Sequence, residues 1–378
     1  MINLLWRKNG AKNGANMSKC GIIYYMNYSP KYTISDKIRN DLREIEKLRG
    51  DIRGSRILPE IEASIRLRAS VESVHSSTSI EGNPLSANEV RAVITSDSPL
   101  TREEYAKIEV QNYKKALDFI DKRRRGSQDI ILEDVLDLHG IITDGLVSKS
   151  RNGKIRSNPV YIEDQNHDIL YEGADADIVK REIVNLIEWI KSNQFTLNPV
   201  IIASIIHFHF VAIHPFSDGN GRTARALTSL YLALNQYDSD GSLVLDSYYA
   251  QDRKAYYDVL QLVNGKNYTH SNKADITPWI EYFVEGFLSS LHVLDAEIRM
   301  LNLSFLDTTQ RELSREDQDI LSYISKFGAI SISDAEAILP ELSRRSIQRR
   351  LKELVDKGIL EILGETHGTR YQLKTSRM

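Results

Sequence analysis

Between residues 34 and 300 apolar side chains recur mostly at helical spacing, so the chain reads as a succession of helices joined by polar turns. Ile38, Leu42, Ile45 and Leu48, followed by Ile57, Ile61 and Ile65, predict two amphipathic helices within 34–75. Pro59 falls near the start of the second, where its missing N–H matters little. The period continues through 85–125, with Asn88 or Thr101 as caps, and through Leu132 to Ile142 and 175–193. Lys122-Arg123-Arg124-Arg125 suits a solvated helix end, since cations favour a helix C-terminus. Residues 201–213 and 226–234 are apolar nearly all round, as helices buried in a core are. Thr277-Pro278 opens a long helix to about Met300.

Two places break this period. Val160-Tyr161-Ile162 and Ile169-Leu170-Tyr171 flank a polar turn and predict a β-hairpin. Beyond a polar hinge at 301–315 the elements shorten, with helices at 317–327, 333–339 and 343–357 and strands at 358–363 and 368–373. The expected organisation is a poorly ordered arm over 1–33, a helical region over 34–120, a helical core over 121–300 and a small domain over 311–378.

Composition narrows the class only slightly. At 378 residues, 41% hydrophobic and 27% charged, the chain can build a large core. A net charge of −3 exerts no global pull toward nucleic acid or an anionic membrane. Cys20 is the sole cysteine, which excludes an intramolecular disulfide. No apolar run is long enough for a membrane span, and the first 30 residues lack a signal-peptide core. The expected compartment is the cytoplasm, with no membrane contact.

The chemistry concentrates between the two buried helices, in His214-Pro215-Phe216-Ser217-Asp218-Gly219-Asn220-Gly221-Arg222-Thr223-Ala224-Arg225. Two glycines and an asparagine permit positive-φ turns that converge N–H groups on one point, and a helix N-terminus follows. Both features favour an anion, and Arg222 and Arg225 can share the first helical turn beside it. Asp218 is a hard oxygen ligand suited to Mg²⁺ next to phosphate. His214 suits a general base near neutral pH. His207 and His209 point to different helix faces, and no Glu or Cys completes a zinc set, so His207 is expected in the core.

At every position this stretch resembles the Fic signature His-x-Phe-x-Asp/Glu-Gly-Asn-Gly-Arg-x-x-Arg. Gly221 stands where the kinase-like Doc branch carries Lys, which favours nucleotidyl transfer over phosphorylation. The resemblance implies that His214 takes the proton of an acceptor hydroxyl and that Asp218 holds Mg²⁺. It further implies that Gly219, Asn220 and Gly221 orient the phosphates of ATP, with Arg222 and Arg225 on the β- and γ-phosphates. Tyr249 and Tyr257 become candidates for the adenine pocket. The hairpin, through Val160, Tyr161 and Ile162, becomes a flap that clamps a target backbone by strand addition.

Upstream, Ser77, Glu81 and Gly82 resemble the family's inhibitory motif, whose Glu pairs with the second arginine, here Arg225. The residues themselves ask for such a partner, since a glutamate at a helix C-terminus opposes the dipole. Residues 311–378 resemble a winged helix-turn-helix domain. Its third helix sets Arg344, Arg345, Arg349, Arg350, Lys352 and Lys357 against Glu353 and Asp356, although the segment is nearly neutral, with 12 basic and 11 acidic residues. DNA contact and a docking role are both open.

The expected fold is an all-α Fic core with a small β-hairpin flap and a C-terminal winged helix-turn-helix domain. The expected function is protein adenylyl transfer from ATP to a Ser, Thr or Tyr hydroxyl of a target protein, itself included, restrained by Glu81. Removal of AMP by the same site and a nucleotide-sensing transcriptional regulator are the alternatives. A homodimer is also open.

Overall fold

The computed structural model describes residues 28–55, 59–95, 104–127, 129–163, 166, 168–312, 314–327, 329–363 and 369–373. Helix α1 (Asp36–Gly54) starts where the Ser35 hydroxyl accepts the Ile38 N–H. It is followed by α2 (Pro59–Ile80), α3 (Ala87–Thr95), α4 (Tyr105–Arg123) and α5 (Leu132–Ile142). The hairpin comprises β1 (Tyr161–Glu163) and β2 (Ile169–Glu172), paired antiparallel with Ile162 opposite Tyr171. Then come α6 (Val179–Asn193), α7 (Pro199–Ile213), α8 (Asn220–Leu234), α9 (Leu245–Gln251), α10 (Arg253–Asn264), α11 (Tyr268–Ser271) and α12 (Thr277–Glu312).

Helices α7 and α8 pack against each other at the centre of one large core, α8 through its apolar stretch 226–234. Trp279 of α12 is fully buried against them and donates its Nε1–H to the Ser204 carbonyl at 2.8 Å. Helix α2 packs on α4 and α9, which brings its C-terminal turn to the first turn of α8. Among the described residues no helix is long and apolar enough to cross a membrane.

Several expectations change. No polar hinge begins at 301: α12 runs on to Glu312, because 301–312 contains no Gly or Pro to stop it. The cap of α3 is Ser86 and not Asn88. Its hydroxyl accepts the Glu89 N–H, while the Glu89 carboxylate takes the Ser86 N–H at 2.8 Å. Thr101 and residues 1–27 of the arm lie outside the described residues. The rest of the arm is docked, with the Tyr28 ring stacked on His209 at 3.6 Å and the Lys31 carbonyl accepting the Ile276 N–H. Arg123 and Arg124 are not solvated. They turn inward onto Asp134 at 2.8 Å and Asp238 at 2.5 Å.

The C-terminal segment holds α13 (Arg315–Phe327), β3 (Ile330–Ser331), α14 (Ile332–Ile338), α15 (Arg344–Asp356), β4 (Leu360–Leu363) and β5 (Arg370–Leu373). Its three strands form an antiparallel sheet ordered β3-β5-β4, one strand more than expected. Its separate core includes Ile320, Ile324, Ile347, Leu351 and Leu360. The basic stripe on α15 is thinner than the sequence suggests. Arg350 turns onto Asp317 and Glu316 at 3.2 Å, Arg344 pairs with Glu336 and Arg349 with Glu353. Arg344 and Arg349 remain exposed within these surface pairs, and Arg345, Lys352 and Lys357 are exposed as well.

Candidate active site

Helix α7 ends at His214, which takes a left-handed backbone conformation with φ 53° and ψ 62°. Few non-glycine residues do so, and the turn throws the following loop across the start of α8. The loop is closed by Asn220, whose side chain accepts the Phe216 N–H at 2.9 Å and donates to the Phe216 carbonyl at 2.8 Å. The amide expected on phosphates thus also closes the loop itself. Of the two glycines and the asparagine expected at positive φ, only Gly219 is there, at 74°. A Cβ on it would also lie 2.7 Å from Thr143 Cγ2. Gly221 lies in the first turn of α8, where a side chain would collide with the Glu81 carboxylate.

Below the loop, Phe216 stacks on His139 with ring centroids 3.6 Å apart. His139 Nδ1 accepts the Gly153 N–H at 3.0 Å, so the proton of the neutral ring sits on Nε2 and is donated to the Asp218 carbonyl at 3.1 Å. His214 is oriented similarly. Its Nδ1 lies 3.2 Å from the Val211 carbonyl, which places the proton there and leaves the Nε2 lone pair free. Burial, with Arg156 adding to it, pushes the His214 pKa down to about 4 against the opposing pull of Glu81 and Asp218. The ring is neutral at physiological pH.

Both motif arginines are occupied. Arg225 is 1% exposed and donates to the Ser77 hydroxyl at 2.7 Å, the Ser77 carbonyl at 2.8 Å and the Glu81 carboxylate at 2.8 Å. Asp246 stands 4.0 Å from its Nε. Burial opposes the charge of Glu81, but Arg225, with Arg222 behind it, outweighs burial and holds the carboxyl below the usual glutamate range. Arg222 pairs with Glu109 of α4 at 2.5 Å and lies 3.5 Å from Asp218. The other Glu109 oxygen accepts from Asn83, just after the Gly82 turn, at 2.6 Å. Gly82, at φ 97°, ends α2 and turns Glu81 into the cleft.

Asp218 extends outward, its side chain 61% exposed. One oxygen accepts the Gly219 N–H at 2.5 Å, and the other has no protein partner among the described residues. The two tyrosines part company. Tyr257 is half exposed, and its hydroxyl reaches the Ile80 carbonyl at 3.4 Å, beside Glu81. Tyr249 is 1% exposed and stacks on Tyr256 at 4.8 Å, inside the core. Its hydroxyl is buried without a partner, so Tyr249→Phe is expected to leave nucleotide affinity unchanged and to hold or raise thermal stability, by up to about 1–3 kcal/mol. Nucleotide titration and a thermal melt check this.

The hairpin stands beside His214, anchored by the Tyr171 hydroxyl on the Ala212 carbonyl at 2.8 Å. The outer edge of β2 is taken, since the Glu172 N–H donates to the Lys266 carbonyl at 3.0 Å. That leaves the β1 edge, where Tyr161 and Ile162 are exposed. Val160 precedes the strand proper, and its carbonyl accepts the Gly173 N–H at 3.2 Å. The sequence reading did not single out Glu109, Asn83, His139, Arg156, Asp246 or Arg253, which donates to the Ile80 carbonyl at 2.6 Å. Each lies in ordinary helical or polar sequence, with no local signal.

Residues 129–232 match the model of the Fic/DOC family. This chain carries a Fic domain. Protein adenylyltransferase fic-1 of Caenorhabditis elegans is 24% identical over 251 residues, covering 65% of this chain and 45% of that protein. Protein adenylyltransferase Fic of Aedes aegypti is 27% identical over 220 residues, covering 57% and 40%. The matched stretch thus spans less than half of either relative. A Fic family protein from Desulfovibrio desulfuricans superposes with a TM-score of 0.59 at 23% identity, covering 93% of this chain and 100% of that one. A Fic domain containing signaling protein from Bacteroides thetaiotaomicron gives 0.58 at 18%, covering 68% and 97%.

Within the Fic domain, burial also pushes His139 down to about 4 and His207 and His209 to about 3. His207 sits in the core as expected, its Nε2 2.9 Å from the Tyr256 hydroxyl. The unfolded chain takes up protons at these rings near pH 6.5, while the folded chain refuses them until pH 3–4. Stability is therefore expected to fall steadily as pH drops from about 6.5 toward 4. Thermal melts across that range check it, and a flat midpoint would refute it.

Proposed function

We propose that the chain is a protein adenylyltransferase that moves AMP from ATP to a Ser, Thr or Tyr hydroxyl of a target protein, itself included, and that Glu81 restrains it. The observation that carries the reading is the neutral His214, its Nε2 free, at the edge of a loop that opens α8 and carries two arginines. The acceptor hydroxyl gives its proton to Nε2 as its oxygen bonds to the α-phosphorus, and the bond to the β-phosphate oxygen breaks to release pyrophosphate. Phosphate oxygens meet the first-turn N–H groups of α8 and, once their carboxylate partners move, Arg222 and Arg225.

Asp218 fits a Mg²⁺ ligand, because its free, solvent-facing oxygen adjoins that phosphate position and Mg²⁺ takes its other ligands from water and phosphate. When bound, the ion would offset the charge that develops on the phosphates. Tyr257 is the adenine-side candidate that remains. The free β1 edge supports Val160, Tyr161 and Ile162 as the flap, receiving an extended target segment beside His214.

The ionised Glu81 carboxylate inside the cleft favours a second reading, AMP removal, in which it would position a water. Incubation with α-labelled and γ-labelled ATP tests the main proposal. Label entering protein from the α position alone supports it, γ-label entry would make the enzyme a kinase, and release of AMP from modified protein would favour removal. For the C-terminal segment we keep the winged-helix reading with docking as its role. Of the five exposed cations of this stripe, Arg344 and Arg349 already face Glu336 and Glu353, which weakens a DNA grip, and salt-dependent duplex binding by the full chain would restore that alternative.

A further inference from the structure

We propose that Arg156 is a positioning residue that couples the flap to the base His214, an inference that rests on the transferase reading. Its guanidinium donates to four backbone carbonyls. Nε reaches His214 at 2.7 Å, Nη1 reaches Asn158 at 2.7 Å, and Nη2 reaches Ile213 at 3.3 Å and also Ala174. Its own N–H donates to the Pro215 carbonyl at 3.0 Å. Asn158 leads into β1, Ala174 follows β2, and Ile213 and His214 end α7. One side chain therefore ties both feet of the hairpin to the turn that carries the base.

The choice of arginine follows from this geometry. Burial works against the Arg156 charge and the Asp175 carboxylate offsets part of it, although no carboxylate among the described residues lies within ion-pair distance; the carbonyls at the C-terminus of α7 face the guanidinium directly. A planar fork sends donors in several directions at once, which a lysine ammonium on a flexible stem cannot reproduce. The bond to the His214 carbonyl also holds a left-handed backbone that a histidine adopts only under constraint.

Gly173 closes the junction. Its N–H donates to Val160, and the Ala174 N–H donates to Ile213 at 3.1 Å. A Cβ on Gly173 would lie 2.9 Å from Val160 Cγ1, 3.0 Å from Arg156 Nη2 and 3.1 Å from His214 Cβ. With no slack between strand and base, a target backbone paired to β1 arrives at a set distance from His214 Nε2. Arg222 and Arg225 are held from α2 and α4, so this junction governs the acceptor side and leaves the phosphate side alone.

The test compares Arg156→Lys and Gly173→Ala, each in a Glu81→Gly background, with the Glu81→Gly parent. Expected results are unchanged ATP affinity, transfer per folded molecule lowered about 10²-fold, and faster hydrogen exchange at the 173–174 amides. Gly173→Ala keeps the guanidinium and strains the same junction, so it carries the test should Arg156→Lys unfold. Parent-like transfer and exchange in Arg156→Lys would overturn the proposal, as would a loss matching only the fall in folded fraction. Unfolding of both variants would also overturn it, by making the junction purely structural. Should the parent itself transfer no label, the transferase reading fails on its own. The coupling is then judged by exchange and by the His214 ring resonances, and parent-like values in Arg156→Lys would reject it.

Discussion

Glu81→Gly is expected to raise AMP transfer, self-modification included, about 10²-fold or more above the unaltered chain. The pair it breaks is short, 2.8 Å, and it commits Arg225 Nη2 to a carboxylate. On the proposed reading, the ionised Glu81 would take the place of the γ-phosphate with a like charge, and a nucleotide would bind with its α-phosphorus out of line with His214. Removing the carboxylate does not release Arg225 into disorder. Ser77 still holds it through two hydrogen bonds and Asp246 stands 4.0 Å away, so the cation stays aimed at the vacated space. Gly221 already leaves room there. Arg225→Ala breaks the same pair yet removes the phosphate ligand, and should not activate. Incorporation of α-label by the two variants and the unaltered chain decides the matter, and equal labelling by Glu81→Gly and the unaltered chain would end the inhibitory reading.

His214→Ala in the Glu81→Gly background is expected to lower transfer about 10²–10⁴-fold, the range for loss of a general base. Nucleotide affinity should barely change, because the anion-binding groups do not depend on the imidazole. Asn220 closes the loop through Phe216, and His139 supports it from below. Alanine at 214 still strains the left-handed turn, so the folded fraction needs measuring alongside. Near-normal labelling by a folded His214→Ala protein would remove His214 from the base role. Lost nucleotide binding would show instead that the imidazole shapes the loop.

Much of this molecule is legible in local sequence, because a helix declares itself through neighbours three and four residues apart. Helix α5 begins and ends where the apolar period does, the hairpin appears where the helical period breaks, and α7 and the 226–234 stretch of α8 are buried because they are apolar nearly all round. The glycine-rich turn before an arginine-bearing helix is likewise legible, and the loop does open α8 with both arginines on it. The tertiary structure alone decided how the polar groups are shared out. Asn220 closes the loop through Phe216, Tyr249 stacks inside the core, and Arg350 turns onto Asp317 and away from solvent. Arg222 meets Glu109, and Arg156 gathers four carbonyls from two distant segments. A buried polar side chain is defined by what stands opposite it, and that partner comes from whichever remote element the packing of the core brings near. Periodicity carries no record of those partners, so the elements follow from the sequence and the hydrogen-bond partners of the site follow only from the fold.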